Sequence, residues 1–388
     1  MSDPHQPVFD LLEQELMHLR PGGAEVIDVH THLGHDEDGM SLDPAGLVEM
    51  LDAAAAERAV VFPLHDPERD PAYSLPNDRV LGWARESGGR FIPFCRLDPL
   101  QSPLSEAERC LAAGARGIKL HPRAQAFSLD GLCEPIFSLA EQAGVPILIH
   151  AGRGLPQAFG PELVELAQRH PGAPLVMAHV GVADQGVLAD GLSGHPAAVF
   201  DTSWMNMMDT MALFARVPAE RIVFGSDPPY GRTFVGLYLV LRILACLGVD
   251  TETRRAVVGG AVTRMVAGEP LAPTTAPRAP QQILLDAKLA RLHANLMLVL
   301  GIMFTGNAER ALDMLWLSQM ACRDANAGAA GAAFERIAPL LEHSQRILEQ
   351  DPEVPRQAGA PLVLAMAIAA TEVPQSTALE PGSFAMPG

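Results

Sequence analysis

Eight short β-rich runs recur between residues 25 and 227: EVIDVH (25–30), AVVFPL (59–64), RFIPFCRL (90–97), RGIKLH (116–121), VPILIH (145–150), PLVMAH (174–179), AAVFDTS (197–203) and RIVFGSD (221–227). Helix-like stretches lie between them, among them PAGLVEMLDAAAAER, SEAERCLAAG, CEPIFSLAEQAG and PELVELAQRH. Several of these stop at a glycine or just before a proline, where helices end. Strands alternating with helices predict an α/β fold with a parallel sheet. Eight such units in roughly 250 residues predict a (β/α)8 TIM barrel. A doubly wound open sheet is the competing arrangement, but it has no comparable reason to stop at eight.

The 388 residues allow one large domain with an appendage, or two domains. Phe9, Leu12, Leu16 and Leu19 form one helical stripe, so an amphipathic helix is expected within residues 1–23, ahead of the barrel at 24–268. EPLAPTTAPRAP then carries four prolines and no apolar periodicity, which marks 269–280 as a linker. Residues 281–350 read as helices with apolar faces, and the tail from 351 to 388 is rich in Pro, Ala and Gly. The barrel's own helices cover its sheet, so the added C-terminal helical region needs another surface, on the outside of the barrel or on a second subunit. The run LMLVLGIMF is uncharged nearly all round, and a homodimer using this region is the expectation.

A formal net charge of −18 argues against nucleic acid or an anionic membrane as a partner. Five cysteines without a CxxC pair read as reduced thiols of a cytosolic protein. The first twenty residues place acids where a signal peptide needs a basic then apolar run. ANLMLVLGIMF and PLVLAMAIAA are too short to span a bilayer. A cytoplasmic protein acting on a small molecule is the expectation.

VIDVHTHLG ends the first run with Asp28, His30 and His32, which share one face if the segment is a strand. Three polar groups aimed together into a core are expensive unless something satisfies them, and a metal ion would. In a barrel of this kind the chemistry sits at the C-terminal strand ends. There lie His30 and His32, Lys119 and His121, His150, His179 and Asp227. Imidazole with carboxylate suits Zn, Mn, Fe or Ni rather than Ca or Mg. The stretches DVHTH, GIKLHP, ILIHAG, VMAHVG and FGSDPPYG, in that order, resemble the amidohydrolase superfamily of metal-dependent TIM barrels over about residues 24 to 268.

The resemblance implies that His30, His32 and Asp227 hold a buried divalent transition metal, most simply zinc. His150 and His179 would hold a second ion if two are present. In single-metal relatives His150 joins the first set and His179 polarises the substrate. Lys119 matches the lysine that binuclear members carboxylate to bridge their metals, and the alternative is an ion pair with an acid or a substrate carboxylate. DPPY resembles the branch containing both hydrolases and non-oxidative decarboxylases. A bound ion lowers the pKa of its water toward neutrality, and Asp227 would take that proton and hand it to the leaving group. Asp28 reads as a buried hydrogen-bond acceptor supporting the ligands.

His121 offers a substrate contact or a loop cap before Pro122. Arg123 and Arg153 offer a bidentate clamp for a carboxylate, or ordinary ion pairs. Arg96 and Asp98 rank behind them, and Trp204 and Asn206 offer a pocket wall. These residues together predict a metal-dependent hydrolase of an amide, lactone or ester in a small carboxylate-bearing molecule. A single-metal decarboxylase on the same scaffold is the first rival, and an idle barrel with a helical interaction module the second.

Overall fold

A computed structural model describes residues 6–129, 131–151, 159–179, 184–279, 286–323, 328–351 and 355–372. The chain divides into two compact units, one of Leu19–Ala279 and one of Met1–His18 with Pro280–Gly388.

The helical unit opens with α1 (Gln6–Leu19), which buries Val8, Leu12 and Leu16. Among the described residues the unit spanning Leu19–Ala279 holds ten strands: β1 (Ile27–His35), β2 (Ser41–Leu42), β3 (Arg58–Pro63), β4 (Phe91–Pro93), β5 (Cys95–Arg96), β6 (Ile118–Leu120), β7 (Ile147–His150), β8 (Leu175–Ala178), β9 (Ala198–Asp201) and β10 (Ile222–Val223). Between and after them run α2 (Pro44–Ala53), α3 (Ser74–Glu86), α4 (Pro103–Ala112), α5 (Pro122–Gln125), α6 (Glu134–Ala143), α7 (Gly160–Arg169), α8 (Gln185–Leu192), α9 (Met207–Phe214), α10 (Thr233–Cys246), α11 (Thr251–Arg255) and α12 (Ala261–Val266). The starts follow local chemistry. Asp43, Asn206 and Asp250 cap α2, α9 and α11 through their side-chain oxygens, and proline occupies the first turn of α2, α4, α5, α6 and α7.

The strands form two sheets, β2-β1-β3-β4 and β10-β9-β8-β7-β6-β5. Every pair is parallel except β1 with β2. The third β-rich run is thus divided. Its first half pairs with β3, and Phe94 N still donates to Val61 O (2.8 Å), but Cys95 N donates to Gly117 O (3.0 Å) in the other sheet. The last run is regular only over two residues. Beyond Val223 its backbone bonds to the first strand's segment: Val29 N to Phe224 O (3.0 Å), Asp227 N to His30 O (2.8 Å) and His32 N to Pro228 O (2.9 Å).

One core runs through both sheets. Val60 and Phe62, Ile92 and Phe94, Leu148, Val176 and Ala178, Val199 and Val223 all join it, alternate residues of successive strands, with Ala261, Val262 and Met265 of α12 closing on them. A side chain at Gly117, immediately before β6, would strike the Phe94 ring at 2.5 Å, so glycine suits that inward position.

The helical unit continues with α13 (Ala287–Met303), α14 (Ala308–Cys322), α15 (Gly331–Gln350) and α16 (Pro355–Thr371). α13 packs on α14 and α16, and α15 packs on the same two. The apolar faces thus meet one another. Leu296, Val299 and Met303 of LMLVLGIMF are buried while Leu298 and Phe304 are half exposed. PLVLAMAIAA lies inside α16, in the stretch whose composition reads as a tail, and Leu362, Leu364, Met366 and Ile368 are buried. Among the described residues no helix is long and apolar enough to cross a membrane.

Candidate metal centre

β1 does not keep strict alternation. Its register against β3 shifts between Asp28 and Thr31, a bulge at the point where the strand changes from apolar to ligand-bearing residues. Asp28, wholly buried, fixes this turn of the backbone. Its Oδ1 accepts from His30 N (3.2 Å) and Ser226 N (3.0 Å), and the Ser226 hydroxyl donates to Oδ2. The carboxylate ties the first strand to the segment that carries Asp227.

His30 is the hub. Its Nε2 lies 3.2 Å from Asp227 Oδ1, 3.3 Å from His32 Nε2 and 3.4 Å from Lys119 Nζ. His32 Nε2 is 3.0 Å from the same Asp227 oxygen, and His179 Nε2 is 3.9 Å from Oδ2. One ligand atom from each of His30, His179 and Asp227 lies within 4.8 Å of the others, and all three residues are buried. His150 is buried beside this set, its ring 4.8 Å from that of His179.

Asp201, in a DTS strand end that carries no ligand pattern of its own, sets the tautomers. Its Oδ2 lies 2.7 Å from His30 Nδ1, so that nitrogen carries the proton and Nε2 keeps its lone pair. Its Oδ1 accepts from His179 N (3.1 Å), Ser203 N (2.9 Å) and the Ser203 hydroxyl. That hydroxyl has one proton and spends it on Asp201, so His179 Nδ1, 2.8 Å from Ser203 Oγ, donates to it. His179 Nε2 is thereby also left as a lone pair. Asp201 follows the inward-facing Val199 by two residues, and that alternation was the available signal.

Burial lowers His30, His32 and His179 well below the ordinary imidazole range, so all three are neutral. Burial also raises the Asp227 carboxyl well above its ordinary range, against the pull of Lys119 and of the Trp204 indole hydrogen bond. Desolvation brings the Lys119 ammonium down to about 7 although Asp227 opposes it. The donor set fits a divalent transition metal: neutral imidazole lone pairs converge on a buried Asp227 Oδ1 that has no hydrogen-bond donor among the described residues. His179 and Asp227 both have left-handed backbones, φ 55° and 63°, uncommon away from glycine and frequent at sites where geometry serves chemistry. Gly231 N donates to Asp227 O (2.8 Å), and any side chain on Gly231 would meet Ser226 O at 1.9 Å.

The remaining expected residues divide. His121 caps α5, its Nδ1 accepting from Ala124 N (3.2 Å), while its ring stacks on His150 at 4.0 Å. Arg123 is exposed on α5, and Arg153 lies outside the described residues. Arg96 is buried at the end of β5, beside Lys119 in register.

A family model described as amidohydrolase matches residues 27–268. Among solved structures, an enamidase described as a member of the amidohydrolase superfamily superposes with a TM-score of 0.50 at 14% identity, over 67% of this chain and 70% of that one. The IDCase of Metarhizium anisopliae gives 0.49 at 16% identity, over 64% and 98%. A dihydroorotase from Campylobacter jejuni gives 0.39 at 18%, over 65% and 85%. No curated protein matches.

Proposed function

The chain belongs to the amidohydrolase family, and from that premise we propose that it is a metal-dependent hydrolase of an amide, lactone or ester bond in a small carboxylate-bearing molecule. The observation that carries this reading is the buried convergence of His30, His179 and Asp227, with Asp201 holding the His30 tautomer. His30, His32 and Asp227 would hold the ion, with His150 or His179 completing the set, and a second ion would engage both of the latter and a carboxylated Lys119. When bound, zinc or a similar ion supplies Lewis acidity, polarising a carbonyl and acidifying water.

The chain's own residues have separate tasks. Asp227, which a bound cation would keep ionised against the effect of burial, would take the proton from the attacking water and return it to the leaving atom, a task that requires a carboxylate held rigidly on both flanks. The backbone bonds through Asp227 N and O supply that rigidity. His179, its Nδ1 proton held on Ser203, would offer its Nε2 lone pair to the ion rather than a proton to the substrate carbonyl. Lys119, held near neutrality by burial, presents the amine form that adds carbon dioxide. Arg123 and His121 remain candidates for contacting the substrate, and Arg153, which lies outside the described residues, is proposed on its place in the sequence alone.

We also infer that the two sheets close into one eight-stranded barrel. The handover at Phe94 and Cys95 and the three backbone bonds between β1 and residues 224–228 support it, as does the shared inward core. A homodimer through the helical unit is proposed on the exposed Leu298, Trp316, Leu317 and Met320, and light scattering of the full chain tests it.

The enzymatic reading is tested by elemental analysis of protein prepared without chelator, followed by assay on N-acyl amino acids and carboxylated lactones. One or two transition-metal ions per chain and product carrying one water's mass are expected. Carbon dioxide release without water addition would replace the hydrolase with a decarboxylase, and failure to bind any metal would end both.

A further inference from the structure

Arg96 is 1% exposed, and among the described residues no carboxylate forms an ion pair with it. A guanidinium taken out of water without a counter-charge is costly, and such groups are rarely left so without a purpose. Its hydrogen-bond partners are all neutral, and the acid that acts on it, Asp36, does so without an ion-pair contact. Nη1 donates to Pro63 O (3.2 Å), Nε to Gln125 Oε1 (3.2 Å), and Nη2 lies 3.4 Å from His65 Nδ1. The Tyr73 ring covers the guanidinium at 5.0 Å. His65 Nδ1 also lies 2.5 Å from the Tyr73 hydroxyl, so it serves as an acceptor on a neutral ring that burial and Arg96 hold down at about 4. Asp36 is the nearby acid, but its oxygens already accept from His65 N, from Asp38 N and from Tyr230. Among the described residues three of the five N–H groups are used, which leaves one on each terminal nitrogen, the number that a two-oxygen acceptor takes.

The placement is as specific as the chemistry. Phe94 is an inward core residue, and Arg96 follows it by two positions, on the same face. Arg96 pairs in register with Lys119, whose amine reaches His30. The unpaired cation therefore stands on the inner face one strand away from the candidate metal ligands.

We propose that Arg96 is the receptor for the substrate's carboxylate, the missing counter-charge being part of the substrate itself. This assigns the interior Arg96, rather than the exposed Arg123, as the residue that selects anionic substrates. As a statement about substrate it rests on the hydrolase reading; as a statement about anion binding it can be tested apart from turnover.

The test is calorimetric titration of the full chain, zinc-loaded and chelator-treated, with benzoate and with uncharged benzamide. Benzoate should bind at least tenfold more tightly than benzamide. Arg96→Met should remove that preference while leaving benzamide affinity and zinc content unchanged, and the loss should appear with and without zinc. Arg96→Lys, which keeps charge and stem but not the fork, should weaken benzoate at least threefold, and it decides the matter if the methionine variant does not fold. Benzoate bound equally by wild type and variant overturns the proposal, as does a wild type that does not distinguish the two probes. An Arg96 effect seen only with zinc present overturns it too, because the metal would then be the anion's partner. Zinc bound normally with no Arg96 effect sinks this inference and spares the hydrolase. Arg96-dependent benzoate binding in a chain that takes up no metal does the reverse.

Discussion

The two compact units bury different things. The helical unit buries mostly aliphatic side chains, with Phe334, His293 and Gln319 among them but no described acid or base of fixed charge, and its enclosed hydroxyls donate to helix carbonyls: Ser318 to Met314 O, Ser344 to Ala358 O and Thr371 to Ala367 O. The Leu19–Ala279 unit buries Asp28, His30, Arg96, Lys119, Asp201 and Asp227 at no more than 4% exposure. All described non-glycine residues with left-handed backbones also belong to it, His179 and Asp227 among them. Unpaired charge and backbone strain each lower stability, and one unit carries both. The difference separates a part built to be stable from a part whose stability has been traded for chemistry.

The sharpest way to break that contrast is at Asp227. Asn there should keep the fold, with a melting temperature near wild type, while turnover falls by roughly 10²–10⁴, the usual worth of a positioned proton carrier. Near-normal turnover would show that another group moves the proton. In the helical unit the expectation inverts. Leu341→Ala removes a fully buried side chain and should cost about 2–5 kcal/mol in denaturant unfolding, with zinc content of the folded protein unchanged. A loss of metal in that variant would mean that the units are not separable in this sense. Asp201→Asn should produce a smaller effect than either: a roughly 10–100-fold weaker zinc affinity by competition titration, because the His30 tautomer loses its acceptor.

How much of this was legible from the chain depended on whether a residue's role was local. His30 and His32 stand two apart and Asp227 sits in FGSDPPYG, so spacing and resemblance exposed them. Asp201 was missed because DTS looks like any strand end, and its importance arises from three contacts on residues 22 and 171 positions away and on Ser203. A sequence does not show that Arg96 is buried among neutral hydrogen-bond partners while Arg123 is exposed, because exposure and partners are not written in it. The eight runs were visible, but the division of the third was not, because it follows from which neighbour pairs with Phe94 and which with Cys95. Nor does alternation reveal the bulge in β1. α16 escaped because its apolar residues are nearly continuous and leave no period to detect.

A last and smaller effect lies at the edge of the site, where His65 meets charge. Arg96 and Arg69 face it on one side, Glu37 and Asp36 on the other, with the Tyr73 hydroxyl on Nδ1. Burial first, then the two arginines, lower its folded pKa from 6.5 to about 4. Above pH 6.5 neither the folded nor the unfolded chain carries the proton, and His65 adds no pH dependence. As pH falls from 6.5 toward 4 the unfolded chain takes up the proton and the folded chain does not, so stability is lost; below about 4 both are protonated and the loss stops. Other buried groups titrate in the same window, Asp28 in the opposite sense because its folded pKa is raised to about 7. The measurement is therefore a difference. Denaturant midpoints of wild type and His65→Asn, compared at pH 7.5 and pH 4.5, should diverge, with wild type losing more stability than the variant on acidification. Parallel pH profiles would mean that His65 already carries its proton in the fold, and Arg96 would then face a second cation rather than a neutral acceptor.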